Sequence, residues 1–183
     1  MKALRKPLLS SKEIAFSSIF GCISALSTLT TSFIPAPLPG LYAAISIPVS
    51  TLIILVVRTI IDKMGSATFT QFVSGVVSML LPGGPPIKWL ILPSWIAGGI
   101  IIDLSFKLVD SSHRSKLFYG ILGSIYIIPG DLLFYWSFSI FLNWTWHIMF
   151  FLYGFVVIHA ILGGLTGFST PYLIERIRPV IGK

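Results

Sequence analysis

Long apolar segments separated by short clusters of proline, glycine and charged residues make up most of the chain. A helix needs about 20 predominantly apolar residues to cross a hydrocarbon core of about 30 Å. The third of the six segments that approach this length is the shortest, and it would cross only with local bilayer thinning or a partner. The pattern predicts an all-α integral membrane bundle of six transmembrane helices in one domain, residues 1–183, with spans at 14–34, 41–61, 67–81, 87–109, 117–142 and 147–174.

The composition agrees with this membrane assignment. Hydrophobic residues make up 55% of the 183 residues, charged residues only 10%, and the mean hydropathy is +0.91. A soluble domain carries about a quarter charged residues. The 13 basic residues exceed the 6 acidic ones, but they punctuate apolar runs and form no basic face, which argues against nucleic acid as a partner. The single cysteine, Cys22, excludes an internal disulfide and any multi-cysteine metal site.

The basic residues also predict an orientation. Cytoplasmic segments of membrane proteins are enriched in Lys and Arg. With six spans and the N-terminus inside, Lys88 is the only basic residue on the external side. We therefore expect a multi-pass protein of the cell membrane with cytoplasmic N- and C-termini. The remaining basic residues all fall on the inner side: Lys2, Arg5, Lys6, Lys12, Arg58, Lys63, Lys107, Arg114, Lys116, Arg176, Arg178 and Lys183.

Asp131 is the most informative polar residue within a span. It lies in the outer half of the fifth span, directly after Pro129 and Gly130, which loosen the helix. Irregular backbone at membrane depth survives only where it is buried in protein or lines a cavity. Asp131 could hold a cationic or amino-bearing ligand there, with Tyr135 and Trp136 stacking on it. The alternative is an Asp that caps the helix resuming after the kink.

Other polar groups in the spans favour structural roles. Asp103 lies in the cytoplasmic third of the fourth span, where Lys107 at i+4 could pair with it. Gln71 lies at a comparable depth in the third span and could contact Asp103 as a structural polar pair. His159 lies near the middle of the sixth span, where a lone histidine is more often a hydrogen-bonded structural residue than a ligand or a relay.

Small residues recur every fourth position in two spans. Ser17, Gly21 and Ala25 give the first span a smooth face, and the pairs Ala160/Gly164 and Gly163/Gly167 do the same in the sixth. Such faces allow close approach of two helices. Most pack within one protein, but the face on the first span could instead meet another subunit.

Enzymatic readings find no support in the motifs. The sequence has no Gly-x-Ser-x-Gly, no His-Glu-x-x-His and no phosphate-binding Gly-rich loop ending in Lys-Ser/Thr, and each of these is the signature of a catalytic or nucleotide site. We therefore expect no enzymatic activity, no cofactor and no metal. Without an ATP site the chain would have to bind, conduct, or serve as one subunit of a larger assembly.

The segment from Arg58 to Lys107 resembles the substrate-binding S components of energy-coupling-factor (ECF) vitamin transporters, specifically the family for thiamin and its hydroxymethylpyrimidine precursor. A basic residue and Gly65 precede a short span carrying Gln71. The Pro/Gly-rich loop 81–86 follows, and then a span with Gly98-Gly99, Asp103 and Phe106. In that family we expect Glu at both positions 71 and 103, so this chain departs from the pattern twice.

The resemblance implies a receptor that binds a vitamin-like molecule near the external face, partnered by a membrane coupling subunit and a pair of ATPases. It also implies that Ser17, Gly21 and Ala25 form the docking face for the coupling subunit. Their depth in the membrane and their side-chain chemistry predict seven ligand contacts: Asp131, Tyr135, Trp136, Trp89, Trp95, Asn143 and His147. Two other classes stay open: a membrane scaffold or assembly subunit, and a proton- or ion-conducting oligomer with Asp131, Asp103 and His159 as relay groups.

Overall fold

Every element of secondary structure in the described part of the chain is helical. The computed structural model describes residues 9–32, 43–82, 87–143, 145 and 147–181. Residues 83–86 of the Pro/Gly-rich loop lie outside this part of the chain. The helices are α1 Ser11–Ser27, α2 Ser46–Ile61, α3 Ser66–Leu80, α4 Ile91–Leu108, α5 Lys116–Ile125, α6 Ile128–Phe141, α7 Ile148–Phe151 and α8 Val157–Ile181.

Four helical segments are long and apolar enough to cross a membrane, which is compatible with a membrane protein. They are Ser11–Thr31, Lys88–Leu108, Lys116–Phe141 and Ile148–Ile177. The helices α2 and α3 are apolar but shorter. At 1.5 Å per residue they extend roughly 24 and 22 Å, less than the hydrocarbon thickness. The all-helical prediction is confirmed, and four of the six predicted spans reach membrane length.

The α2 helix forms the centre of the bundle. Its residues from Ile53 to Arg58 are all buried, because other helices surround it. Ile54, Leu55 and Val56 belong to an apolar cluster that also contains Ile102, Phe106, Tyr119 and Leu122 from α4 and α5. This cluster therefore joins α2, α4 and α5, and two smaller apolar clusters lie around Ile53 and Phe151.

Backbone contact between glycines joins α5 to α8. A Cβ atom added at Gly163 would collide with the carbonyl oxygen of Gly123, and one added at Gly167 would collide with that of Tyr119. Helices approach this closely only where side chains are absent. The predicted small-residue face of Gly163 and Gly167 is therefore a packing surface within the protein.

The small-residue face of α1 is also buried inside the protein, which corrects the expected docking face. Ser17 and Ala25 are completely buried and Gly21 is buried as well. A Cβ at Gly21 would lie 2.8 Å from the carbonyl oxygen of Thr70, so this face packs against α3. The three residues allow α1 and α3 to pack closely. Because they are buried in this contact, they offer no surface to a second subunit.

The fifth predicted span is broken, as Pro129 and Gly130 indicated. The α5 helix ends at Ile125 and α6 begins at Ile128, with a turn at residues 126 and 127 between them. Pro129 has no N–H to donate to the preceding turn. In the last predicted span a π-helical turn, Leu152–Val156, separates α7 from α8. This irregularity lies one turn before His159.

Candidate functional site

The two helix irregularities border a cavity inside the bundle, whose exposed surface is mostly apolar with a few polar groups. Residues near the end of α1, the first turns of α2 and α4, the α5–α6 break and the π turn contribute to its wall. Its free space is about 750 Å³, including the part open at its mouth. We call this end of the molecule the cavity end. Six of the lining residues carry hydroxyl groups on α1 and α2 or the turn following α1: Ser24, Ser27, Thr28, Thr31, Ser46 and Ser50.

Asp131 and His159 both line the cavity and contact each other in its wall. His159 Nδ1 lies 3.0 Å from both carboxylate oxygens of Asp131. Both residues are buried, with relative exposures of 4% for Asp131 and 2% for His159. A buried charged group needs a partner of this kind, because burying an isolated charge costs several kcal/mol. The cavity wall therefore contains a buried pair of ionisable side chains that contact each other.

Local backbone irregularity places both members of this pair. Asp131 lies in the first turn of α6, which starts afresh because of Pro129 and so can direct a new set of residues inwards. His159 follows the π turn, and its ring contacts that of Phe155 at a centroid distance of 4.4 Å. A π turn adds one residue to a helical turn and is frequent at functional sites.

Most hydroxyl groups of α1 and of the turn after it donate hydrogen bonds to backbone carbonyl oxygens three residues earlier. Ser27 Oγ donates to the carbonyl of Ser24 at 2.6 Å, and Thr28 Oγ1 donates to that of Ala25 at 2.7 Å. Because each hydroxyl has one hydrogen and two lone pairs, these oxygens retain acceptor capacity. Ser24 Oγ is buried and has no hydrogen-bond partner among the described residues, and the same holds for His159 Nε2.

Aromatic rings complete the wall. Trp95, Tyr126, Phe134 and Phe155 all line the cavity. Tyr126 is held by a 2.9 Å hydrogen bond between its hydroxyl and Thr51 Oγ1. The cavity thus combines flat apolar surfaces with hydrogen-bonding groups, which is the usual composition of a small-molecule site.

The structure brings two of the seven predicted ligand residues, Asp131 and Trp95, to this cavity. Tyr135 packs on Phe151 with a centroid distance of 4.9 Å, so its ring belongs to an apolar cluster. Trp136 is 68% exposed on the outer surface of the bundle. These two residues therefore do not stack on a ligand in the cavity, because α6 directs them away from it.

The remaining three predicted ligand residues also lie away from the cavity. Trp89 is exposed and packs edge-on against Phe141. Asn143 is exposed and has a left-handed backbone with φ of 50°. His147 caps α7 by accepting a hydrogen bond from the backbone N–H of Met149. These residues have structural roles at the ends of helices.

Gln71 and Asp103 do not form the pair that their similar depth suggested. Gln71 is buried and lines the cavity. Asp103 Oδ1 lies 2.9 Å from Arg58 Nε, and its other oxygen accepts hydrogen bonds from the backbone N–H and hydroxyl of Thr68. Lys107 is exposed. Asp103 points into the bundle, so it pairs with Arg58 on α2 and does not pair with Lys107 on its own helix.

Charged residues gather at the opposite end of the molecule, which we call the charged end. Asp62 Oδ1 lies 3.1 Å from Arg58 Nη1 and 3.0 Å from Arg114 Nη1. The ring of Phe106 lies between the two guanidinium groups, 4.8 and 4.5 Å from their carbon atoms. Glu13 and Lys63 form a further ion pair at this end. The Arg and Lys ion pairs and the cavity therefore lie at opposite ends of the bundle.

The sequence reasoning missed the hydroxyl groups and the partner of Asp131. The spacing of Ser24, Ser27, Thr28 and Thr31 is that of one helical face, which was a usable signal for a polar wall. The pairing of Asp131 with His159, 28 residues further on, has no comparable local signal. Among the described residues no group of three His, Cys, Asp or Glu side chains is arranged to hold a metal ion.

Fold and cavity together define a helical protein with four apolar helices of membrane length and an internal polar site. Beyond this class, the comparisons give no relative: no family model, no curated protein and no solved structure matches the chain.

Proposed function

We propose that the protein is the substrate-binding membrane subunit, or S component, of an ECF-type ABC transporter that imports a vitamin or vitamin precursor. The observation that carries the proposal is the internal cavity with the buried pair of Asp131 and His159 in its wall. Polar side chains inside a membrane bundle are costly and mark functional pathways or sites. Thiamin or hydroxymethylpyrimidine is the ligand class that the resemblance implies.

The proposal includes six spans with both termini in the cytoplasm. Lys63 Nζ lies 2.9 Å from Glu13 Oε2, so the α2–α3 turn lies at the same end as the start of α1. Asp62 pairs with Arg114 from the α4–α5 connection. This arrangement supports α2 and α3 crossing the bundle despite their short length. The positive-inside bias then makes the charged end cytoplasmic and directs the cavity outwards.

The proposed coupling subunit and ATPases would have to meet a surface other than the small-residue face of α1. That face packs on α3. The opposite side of α1 exposes Ile19, Ile23 and Leu26, which recur at helical spacing. In the proposed complex this apolar stripe would contact either lipid or the coupling subunit.

A thermal-shift screen of the purified full chain against B vitamins and their precursors tests the proposed function. A ligand at 100 times its dissociation constant stabilises a protein by about 2.7 kcal/mol, so a true ligand raises the melting temperature measurably. Asp131→Asn should weaken this effect, and Asp110→Asn at an exposed site should not. If no compound stabilises the protein, the proposal fails and a scaffold role is favoured.

The Asp131–His159 pair also favours a second candidate, a proton-conducting oligomer. Carboxylate and imidazole groups in contact are the parts of proton relays in membrane proteins. Purified protein reconstituted alone in liposomes would then conduct protons, and His159→Phe would abolish the flux. The receptor function predicts no flux in the absence of partner subunits.

A further inference from the structure

The hydrogen bonds of His159 leave one ring nitrogen for the cavity. Nδ1 is 3.0 Å from both oxygens of Asp131, so this side of the ring is fully used. Nε2 is buried and has no partner among the described residues. Because the imidazole lines the cavity, Nε2 is the atom of this pair that is left to meet a bound molecule.

Charge considerations decide whether Nε2 carries a hydrogen. Among the described residues that line the cavity, only Asp131 and His159 have an acidic or imidazole group. The other titratable group in the wall, the Tyr126 hydroxyl, is bonded to Thr51. Arg58 and Asp103 are paired with each other towards the charged end. A net charge buried without compensation costs several kcal/mol, so the pair is more stable when it is neutral overall.

Two arrangements of a neutral pair use the hydrogen that lies between the two groups in a hydrogen bond, and Nε2 bears a hydrogen in both. In the first, a carboxylate accepts from an imidazolium ion, which is protonated on both nitrogens. In the second, a carboxylic acid donates to Nδ1 of a neutral ring, whose hydrogen must then be on Nε2. Nε2 would be an acceptor in a negatively charged pair formed by a carboxylate and a neutral ring. It would also be an acceptor in a neutral pair with the ring hydrogen on Nδ1, but that arrangement leaves the hydroxyl hydrogen of the acid without a partner among the described residues.

We propose that the site takes an uncharged heterocyclic molecule whose hydrogen-bond acceptor meets the Nε2–H of His159. Two other lining residues complement such a ligand, because Ser27 and Thr28 have used their hydrogens and retain acceptor oxygens. A ligand that carries both an acceptor and a donor would satisfy His159 and these hydroxyl groups. This inference rests on the proposed function, and it replaces the cationic ligand expected for an unpaired Asp131.

Nitrogen NMR of the ligand-free full chain tests the protonation. The chain has 3 histidines, so His113→Gln with His147→Gln leaves His159 as the only labelled imidazole. Both replaced residues are exposed. We expect a protonated Nε2 at neutral pH. A bare Nε2 together with a protonated Nδ1 would overturn the proposal, because Nε2 would then be an acceptor and not a donor.

Two matched ligand pairs test the chemical class. Hydroxymethylpyrimidine and thiamin share an aminopyrimidine ring, and nicotinamide and 1-methylnicotinamide share a ring amide. The second member of each pair is a cation. At mildly alkaline pH we expect the uncharged member of at least one pair to stabilise the protein and its cation to do so at least tenfold more weakly. Preferential stabilisation by the cations, with release of a proton on binding, would overturn the ligand class and leave the receptor function intact.

Variants of His159 link the two measurements. Loss of a buried hydrogen bond to a ligand corresponds to roughly 10- to 100-fold in affinity, which is the loss expected for His159→Phe. His159→Gln keeps an N–H group and a partner for Asp131, so it should retain most of the affinity, and His113→Gln should retain all of it. Unchanged affinity in His159→Phe would refute the contact. If no vitamin stabilises the wild-type chain, the proposed function and the ligand class both fail, and the NMR result decides the protonation by itself.

Discussion

At the scale of single residues, the buried ion pair of Arg58 and Asp103 has the largest expected effect on stability. Both side chains are almost completely buried, and Asp103 also accepts hydrogen bonds from Thr68. Asp103→Asn leaves the buried Arg58 with its exposed partner Asp62, and loss of one member of a buried ion pair costs about 3–5 kcal/mol. We expect Asp103→Asn to lower the free energy of unfolding by about 3 kcal/mol, measured by thermal or denaturant unfolding of purified protein.

Two variants serve as references for this measurement. Asp110→Asn changes an exposed carboxylate and should leave stability within about 0.5 kcal/mol of the wild type. Arg58→Met combined with Asp103→Leu removes both charges together, and such replacements are often neutral. If Asp103→Asn were as stable as Asp110→Asn, the ion pair would contribute nothing to the fold.

A smaller effect is expected at the hydroxyl pair that holds Tyr126 in the cavity wall. Thr51→Val removes the group 2.9 Å from the Tyr126 hydroxyl and leaves that hydroxyl buried without this partner. The expected loss is about 1–3 kcal/mol of unfolding free energy, with a weaker ligand-induced shift. Thr59→Val, which removes a similar bond to Tyr119 away from the cavity, should cost stability without changing ligand binding.

The residue scale also shows which parts of the site were predictable. Asp131 was found because an acid after Pro-Gly within a span is unusual in sequence. Its partner His159 was not assigned, because only helix packing brings residues of different spans together. The predicted contacts of Asp103 with Lys107 and with Gln71 failed for the same reason: neither spacing nor depth specifies which side of a helix faces α2.

At the scale of helices, the glycine contact between α5 and α8 should tolerate no side chain. Gly123→Val and Gly163→Val would each force two backbones apart. Overpacking typically costs 1–3 kcal/mol, and we expect at least about 3 kcal/mol here because the atoms in the way belong to the backbone. The midpoint of thermal unfolding and the yield of monodisperse protein are the measurements.

A third glycine provides the matched control. A Cβ at Gly154 would meet nothing within 4 Å, so Gly154→Ala should not reduce stability. An equal loss in Gly154→Ala and Gly123→Val would mean that helical glycine as such, and not the contact with α8, is what matters.

Helix boundaries were predicted well where proline and glycine supply a local signal, as at Pro129. The fourth predicted span, 87–109, agrees closely with Lys88–Leu108. The π turn was not predicted, although Gly154 lies within it, because a single glycine within a span does not specify this irregularity. The small residues of α1 and α8 were recognised in both cases, but only the structure identifies their partners as α3 and α5.

At the scale of the whole molecule, the topology can be tested with single cysteines in a Cys22→Ser background. Six spans place Met64, in the α2–α3 turn, on the cytoplasmic side and Thr145 outside. In intact cells a membrane-impermeant maleimide should therefore label Thr145→Cys strongly. It should label Met64→Cys only after permeabilisation, because the intact bilayer keeps the reagent away from a cytoplasmic turn.

Ser112→Cys, in the exposed α4–α5 connection at the charged end, is the matching internal control. It should behave like Met64→Cys. Labelling of Met64→Cys in intact cells while Ser112→Cys stays protected would show that α2 and α3 do not cross, and the number of spans would then be four.

The glycine contact has a mechanical consequence for the whole molecule. Two backbones in direct contact cannot slide past each other without first separating, so α5 and α8 must move as one stiff body. Above that body, the chain has its two irregular points, the α5–α6 break and the π turn, and both border the cavity. On the side of the cavity that α5, α6 and α8 form, a widening for entry of a molecule is therefore absorbed at these two joints, and α6 moves relative to the paired helices.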